Sequence, residues 1–221
     1  MRNESEALIA SWSINAQSWA VAVREGHIRS RQAVTNSAII KAVTSHQPTR
    51  FLDVGCSEGW LCRALVDTGA HITGFDVSPE LLNLAAEQGS FDFRCVAYSD
   101  VIVSPERIGS EFDVIACNFS LLDNQVSELL AALAQVAAPK AALIIQTIHP
   151  LSVEPPYEDG WRLEHFEDLK PDTWSPMPWY FRTLGSWIKA FSPFWILETI
   201  EEPRSANEYF PASLVFTARL A

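Results

Sequence analysis

Apolar residues change their spacing along the chain near residue 48. Between Ser5 and Val43 they recur at roughly helical spacing, which predicts two helices separated near Gly26. After Pro48 they form short continuous runs that stop at glycine or polar residues, as strands buried inside a parallel sheet do. The pattern therefore predicts an N-terminal helical cover over residues 1–46, followed by an α/β core over residues 50–149.

Five apolar runs in the core are typical of strands, and helical segments separate them. The runs are residues 51–54, 70–75, 91–96, 112–117 and 141–147. One helix is expected from Glu58 to Val66, a second after an N-cap at Ser78, and a third after a cap at Asp123. Strands that alternate with helices favour right-handed βαβ units and a parallel sheet covered on both faces.

The regular pattern stops after His149. Residues 150–182 are rich in proline, tryptophan and acidic residues, which favours an irregular, lid-like insertion over a helix or a sheet. A helix over 184–191 and an antiparallel strand pair at 194–200 and 213–220 are expected to complete the fold within residues 183–221. Because no linker interrupts the chain, residues 1–221 are expected to form one domain.

Charge and composition narrow the classes of partner. The chain has 27 acidic and 16 basic residues, and its formal net charge of −11 would repel nucleic acid and anionic membrane surfaces. No apolar run reaches the roughly 18 residues that span a bilayer, so a cytoplasmic location is expected. The four cysteines stand singly and are expected to be buried free thiols. The scattered histidines indicate no metal site.

The strongest chemical signal is the segment Leu-Asp-Val-Gly-Cys-Ser-Glu-Gly-Trp at residues 52–60. Here a strand runs into a turn of small residues and then into a helix. Gly55 and Gly59 allow a close backbone approach, and the helix presents unpaired N–H groups. Ligands of doubly wound sheets bind in this crevice, which makes the turn a candidate binding site.

This segment resembles the first motif of the class I S-adenosylmethionine-dependent methyltransferases, in which an acid is followed by glycines at alternate positions. Asp53, Gly55 and Gly59 match that motif, whereas Ser57 stands at the middle glycine position. A dinucleotide fingerprint would need glycine at Ser57 and at Trp60. The resemblance implies a Rossmann-like sheet of seven strands in the order 3-2-1-4-5-7-6, with strand 7 antiparallel, S-adenosylmethionine as cofactor and S-adenosylhomocysteine as product.

The same resemblance implies roles for residues that follow later strands. Asp76 would accept hydrogen bonds from the ribose hydroxyls, although it could instead cap the next helix. Asp100 or backbone groups could contact the adenine amino group. Further cofactor-binding candidates are Cys56 and Ser57 in the turn, Val77, Ala97 and Tyr98 around the adenine, and Asn118 and Phe119 beneath the methionine part.

The N-terminal segment offers a partner for the cofactor carboxylate. Arg31 lies in a mostly uncharged stretch, and a guanidinium can hold a carboxylate through two hydrogen bonds. A solvated arginine is the alternative. Trp12 and Trp19 lie on one apolar stripe and are expected to pack in the core, although either ring could cover the sulfonium of the cofactor through a cation–π contact.

Methyl transfer mainly requires positioning, and in some reactions removal of a proton. His149 follows the fifth strand and titrates near neutrality, so it is the candidate base, unless it anchors the insertion instead. The aromatic residues of the insertion predict a pocket for a small-molecule acceptor. A macromolecule methyltransferase and a cofactor-binding protein without turnover remain alternatives, and the acceptor atom and oligomeric state stay open.

Overall fold

A computed structural model describes residues 3–167, 169, 173–206 and 208–221. The helices are α1 (Glu4–Arg24), α2 (Asn36–Thr44), α3 (Trp60–Ala64), α4 (Pro79–Ala86), α5 (Tyr98–Val103), α6 (Val126–Val136) and α7 (Leu184–Ala190). The strands are β1 (Arg50–Val54), β2 (His71–Asp76), β3 (Asp92–Cys95), β4 (Phe112–Asn118), β5 (Ala137–Thr147), β6 (Gly160–Glu164), β7 (Met177–Phe181), β8 (Trp195–Glu201) and β9 (Leu214–Leu220). A π-helical turn, Arg31–Thr35, precedes α2.

Seven strands form one mixed sheet in the order β3-β2-β1-β4-β5-β9-β8. The first five are parallel, and β9 runs antiparallel to both of its neighbours. The predicted order and the antiparallel strand are therefore confirmed. Because the chain proceeds from β1 to one side and later to the other, the carboxyl end of β1 lies at the switch point where such sheets bind ligands.

Alternate residues of β1 face opposite sides of the sheet, and each side has its own apolar core. Leu52 and Val54 pack in the cluster that contains residues of α5, α6 and α7. Phe51 packs on the other face with Ile39 and Val43 of α2. Burial on both faces explains why the strand reads as an uninterrupted apolar run.

The insertion contains a hairpin, so the prediction that it lacks a sheet was wrong. Strands β6 and β7 pair antiparallel, with Leu163 opposite Pro178. Proline is tolerated because the hairpin has only two strands, and an edge position does not require every N–H group. Tyr180 donates its backbone N–H to the carbonyl of Leu122 over 2.8 Å, and Arg182 donates to the carbonyl of Asp123. The hairpin is thereby tied to the loop after β4.

Helix α1 and this hairpin share a third apolar cluster, and we call the two elements together the cover. Leu8 packs there with Met177, Trp179 and Phe181, and Trp12 and Trp19 lie against the same cluster. The predicted N-terminal cover and the predicted lid thus meet. No described helix combines the length and the apolarity needed to cross a membrane.

Three local expectations are corrected. Helix α3 is shorter than the predicted span of 58–66, and a separate 3-10 turn follows at Val66–Thr68. Gln125, not Asp123, stands at the N-cap of α6, although Asp123 Oδ1 accepts a hydrogen bond from the backbone N–H of Gln125. Cys95 is exposed because β3 is an edge strand, whereas the other three free thiols are buried as expected.

We expect Ile115→Ala to lower the free energy of unfolding by about 2–5 kcal/mol, because Ile115 is fully buried in the middle of β4. The matched control is Ile196→Ala on β8, where the side chain is 47% exposed and the loss should stay within about 1 kcal/mol. Urea unfolding of both variants measures the difference. Equal losses would contradict the position assigned to β4.

Candidate active site

A cavity of about 580 Å³ opens at the carboxyl ends of β1, β2 and β4. Its floor is formed by the turns after these strands. Helix α1 closes it from above and contributes Leu8, Trp12 and Trp19 to its wall. The cavity therefore lies at the switch point of the sheet, under the cover.

The turn after β1 brings the backbone close to the cavity. Gly55 has φ of 69°, and a Cβ there would lie 2.5 Å from the Cβ of Ser120 and 2.6 Å from the hydroxyl of Tyr98. Ser57 also adopts a left-handed conformation, with φ of 54°, although it is not glycine. Gly59 does not line the cavity. A Cβ there would lie 2.9 Å from Phe93 of β3 and 3.1 Å from Ala85 of α4, so this glycine instead permits close packing of the start of α3 against these two elements.

Asp76 ends β2 beside this turn and is only 8% exposed. Its Oδ2 accepts the backbone N–H of Ser57 and its Oδ1 accepts that of Ser78, each over 2.9 Å. Burial raises the pKa of Asp76, while the backbone hydrogen bonds oppose the shift. The helix cap that follows is Ser78 itself, whose Oγ accepts the N–H of Leu81. Asp76 is thus held at the cavity wall.

A second buried carboxyl, Asp53, lies within β1. Its Oδ2 accepts a hydrogen bond from the thiol of Cys62 at 3.4 Å. Desolvation is the largest influence and raises the pKa of Asp53 to about 7, while the charge of Arg31 acts in the opposite direction. Asp53 therefore holds its proton under mildly acidic conditions.

Arg31 brings a positive charge into the cavity from the π-helical turn. It is 8% exposed, its guanidinium lies 4.5 Å from the ring centre of Trp60, and its Nε donates to Asn36 Oδ1 over 3.2 Å. Burial lowers the pKa of Arg31 to about 10, and the charges of Glu58 and Asp53 oppose this shift. Its Nη2 has no hydrogen-bond partner. The cavity thus contains an unused cationic donor.

Other polar atoms around the cavity also lack partners. Buried polar groups in folded proteins are almost always hydrogen-bonded, so each exception calls for an explanation. Five such atoms belong to cavity-lining residues: Trp19 Nε1, Arg31 Nη2, Ser57 Oγ, Asn118 Oδ1 and Ser120 Oγ. Their concentration in one cavity indicates a polar ligand that would satisfy them.

The structure brings most of the predicted cofactor residues to this cavity. Those that line it are Arg31, Asp53, Gly55, Cys56, Ser57, Asp76, Val77, Tyr98, Asn118 and Phe119. Gly59 and Ala97 do not line it, and Ala97 instead stands at the N-cap of α5. Asp100 faces Arg107, with which it forms an ion pair of 3.0 Å.

The catalytic assignment of His149 is not supported by its position. The side chain is buried outside the cavity lining. Its Nδ1 accepts the N–H of Leu151, and its Nε2 lies 2.8 Å from Glu202 Oε1. Both ring nitrogens are therefore engaged in holding the start of the insertion. In the described part of the chain, no group of three His, Cys, Asp or Glu residues is arranged to hold a metal ion.

Several lining residues were missed or assigned otherwise. Trp12 and Trp19 pack edge to face at 5.4 Å and also line the cavity, so the expected packing role and a place at the cavity wall are combined in the same two residues. Trp60 directly follows the last motif glycine and could have been inferred from that position. Conversely, the aromatic residues of the insertion pack within the cover and do not line the cavity in the described structure.

Residues 16–192 match the family described as the methyltransferase domain. The chain belongs to this family. The match covers most of the chain and includes the motif turn, Asp76 and the hairpin. The class I S-adenosylmethionine-dependent methyltransferase assignment made from the motif is thereby confirmed.

Curated and structural relatives agree with this family. The chain is 34% identical over 107 residues to a ubiquinone biosynthesis O-methyltransferase of Xylella fastidiosa. The matched segment covers 45% of this chain and 42% of that enzyme. The match thus spans less than half the length of this curated relative.

Solved structures share the fold at lower identity. An S-adenosylmethionine-dependent methyltransferase from Mesorhizobium loti superimposes with a TM-score of 0.62 at 21% identity, over 81% of this chain and 96% of that one. The Burkholderia thailandensis 1,6-didemethyltoxoflavin-N1-methyltransferase gives a TM-score of 0.65 at 16% identity, over 100% of this chain and 92% of that one. These likenesses describe the fold of the methyltransferase domain.

We expect Gly55→Ala to lower the free energy of unfolding by about 1–3 kcal/mol and to abolish cofactor binding, because the new Cβ meets Ser120 and Tyr98 and the left-handed backbone is strained. The control is Gly185→Ala in α7, where no atom lies within 4 Å of the new Cβ. That substitution should be neutral or slightly stabilising. Unfolding and ligand titration measure both variants, and normal binding by Gly55→Ala would contradict the close approach.

The raised pKa of Asp53 predicts a pH-dependent stability in the free methyltransferase domain. The pKa of an aspartate in an unfolded chain is about 4, and burial raises the pKa of Asp53 in the folded protein to about 7. Between these two pH values the folded state therefore holds one proton more than the unfolded state. The free energy of unfolding should therefore fall by a few kcal/mol as the pH rises from about 4 to about 7.

Asp53→Asn should reduce this dependence, because it removes one of the two buried carboxyl groups whose pKa burial raises, the other being Asp76. Asp67→Asn on the exposed turn after α3 should leave the dependence unchanged. Urea unfolding at stepped pH values compares the three proteins. Parallel curves for the wild type and Asp53→Asn would show that Asp53 does not carry the shift.

Proposed function

We propose that this methyltransferase domain binds S-adenosylmethionine in the cavity and transfers its methyl group to a small molecule. The observation that carries the proposal is that a buried Arg31, whose Nη2 lacks a hydrogen-bond partner, and a buried Asp76 line the same cavity around one glycine turn. A ligand with an anionic end and a hydroxyl-bearing end fits both. The amino-acid and ribose parts of S-adenosylmethionine have this polarity.

Different lining residues would bind different parts of the cofactor. Arg31 would hold the carboxylate, since its Nη2 has no other partner. Asp76 would accept the ribose hydroxyls with the lone pairs that its two backbone contacts leave free. Val77 and Tyr98 would flank the adenine. Asn118 Oδ1 offers a hydrogen-bond acceptor for the amino group of the methionine part.

When bound, the cofactor supplies an electrophilic methyl group on a sulfonium. The chain then has to hold an acceptor in line with that group and exclude water, and orientation of this kind lowers the barrier substantially. Trp12 and Trp19 wall the cavity with large apolar rings. These rings are suited to shielding the reacting centre, and an aromatic face attracts a cation.

The acceptor end of the cavity supports a small molecule of mixed polarity. Leu8 and Ile9 of α1 contribute apolar surface, while Glu6, Asp123 and Glu128 contribute carboxylates. The described lining contains no histidine or lysine, so a proton released by the acceptor would pass to these carboxylates or to solvent. The cover over the cavity favours a small molecule over a protein chain.

Relatives suggest which atoms such a molecule presents. The curated relatives are named as O-methyltransferases, and one structural neighbour carries the name of an N1-methyltransferase and binds a heterocycle. We therefore propose a hydroxyl or ring nitrogen of a partly apolar small molecule as the methyl acceptor.

Isothermal titration with S-adenosylhomocysteine tests the cofactor assignment. The wild type should bind with micromolar affinity, and Asp76→Ala should bind about ten- to a hundredfold more weakly because the hydrogen bonds to a charged acceptor are lost. Asp67→Ala, an exposed residue outside the cavity, is the control and should match the wild type. Absence of binding by the folded wild type would refute the proposal.

A mass-spectrometric screen for methylated products over phenols and nitrogen heterocycles then tests turnover. Product with any member of the panel supports the enzyme. Tight cofactor binding without product on any acceptor would instead favour a cofactor-binding protein without turnover.

A further inference from the structure

A completely buried carboxylate, Glu58, lies inside the motif turn and does not line the cavity. It has no solvent exposure. Its Oε2 accepts hydrogen bonds from Arg24 Nε at 3.2 Å and from Arg63 Nη2 at 2.5 Å. Arg63 also donates to the backbone carbonyl of Glu58 over 2.6 Å. One carboxylate thereby joins α1, which carries Arg24, to α3, which carries Arg63.

Arg24 extends this junction to a third helix. Its Nη2 donates to the carbonyl of Leu84 in α4 over 2.8 Å. Helices α3 and α4 follow the two strands whose ends hold Gly55 and Asp76. The last turn of α1 is therefore fastened to both helices that begin at the cofactor site.

Polar contacts help to hold helix α1 on the core. Of its described residues, none belongs to either of the two large apolar clusters around the sheet. Leu8, Trp12 and Trp19 pack in the cluster shared with the hairpin instead. Contacts of α1 with the core include Ser5 with Asp123, Ser13 with Glu80, and Arg24 with Glu58. Among these three, only the contact with Glu58 joins opposite charges.

Glu58 is joined directly to Ser57, which lines the cavity and donates its backbone N–H to Asp76. Its negative charge also opposes the lowering of the pKa of Arg31 by burial. Glu58 Oε1 has no hydrogen-bond partner although it is buried, which is costly for a carboxylate unless its charge is compensated by nearby cations. The carboxylate thus ties a cation of the cover to the turn that forms part of the cavity wall.

We propose that Glu58 is a positioning residue that couples the docking of α1 onto the core to cofactor binding in the cavity, because it joins α1 to the motif turn and both contribute lining residues. The inference rests on the proposed function. Because coupling between two sites is reciprocal, a ligand in the cavity stabilises the docked helix, and a docked helix raises the affinity for the ligand. Trp12 and Trp19 reach the cavity only from a docked α1, so the same coupling completes the cavity wall.

The test combines affinity with backbone protection in the full chain. Glu58→Gln keeps the shape and removes the charge, and we expect S-adenosylhomocysteine to bind about tenfold more weakly. In the wild type, the ligand should slow hydrogen exchange across α1. In Glu58→Gln that gain in protection should be lost, which a simple loss of stability spread over the sheet would not produce.

Arg24 provides a second, independent variant, because it lies outside the cavity lining. Arg24→Gln should reproduce both effects, and Arg24→Lys, which keeps the charge, should restore part of the affinity. The matched control is Glu198→Gln, which removes a glutamate–arginine pair of 3.2 Å between β8 and β9 and should leave both measurements unchanged. If Glu58→Gln does not fold, Arg24→Gln still decides the question.

The outcomes separate the two proposals. If the wild type binds the ligand and both variants match it in affinity and in protection of α1, the role of Glu58 is overturned and the proposed function stands. If the wild type binds no ligand, the proposed function fails, and the coupling fails with it.

Discussion

The cavity at the switch point depends on one constraint, the burial of two carboxyl groups near the ends of neighbouring strands. Asp53 and Asp76 are both almost inaccessible, and burial raises the pKa of each. Backbone N–H groups from the turn at Ser57 and Ser78 compensate Asp76, and this requires the turn to bend back over β2. The left-handed backbone at Gly55 and Ser57 permits that bend. The cavity is the space that remains above it.

Arginine residues balance this negative charge from outside the sheet. Arg31 enters from the π-helical turn, and Arg24 enters from the last turn of α1. Arg24 is bonded to Glu58, so an ion pair helps to fix the last turn of α1, whereas α2 packs on the sheet through the apolar side chains of Ile39 and Val43.

The motif turn could be predicted because its determinants are local: Asp53, Gly55 and Ser57 lie within five residues. The order of the strands followed from the resemblance that this turn carries. The hairpin was missed, and the choice between the two roles of His149 stayed open, because their partners are distant in the chain. Glu202, which engages His149, is 53 residues away, and the hydrogen bonds between Asn15 and Ser175 span 160 residues. No periodicity within a short window encodes such pairs.

The sequence by itself determined the fold class and the glycine turn at the switch point of the sheet, because a strand, a glycine turn and a helix are specified by neighbouring residues. Tertiary structure alone decided that Trp12 and Trp19 line the cavity, that Glu58 joins α1 to α3, and that both ring nitrogens of His149 are engaged outside the cavity. The physical reason is that burial and charge compensation arise from residues far apart in the chain, and they become visible only when the sheet and the cover are assembled.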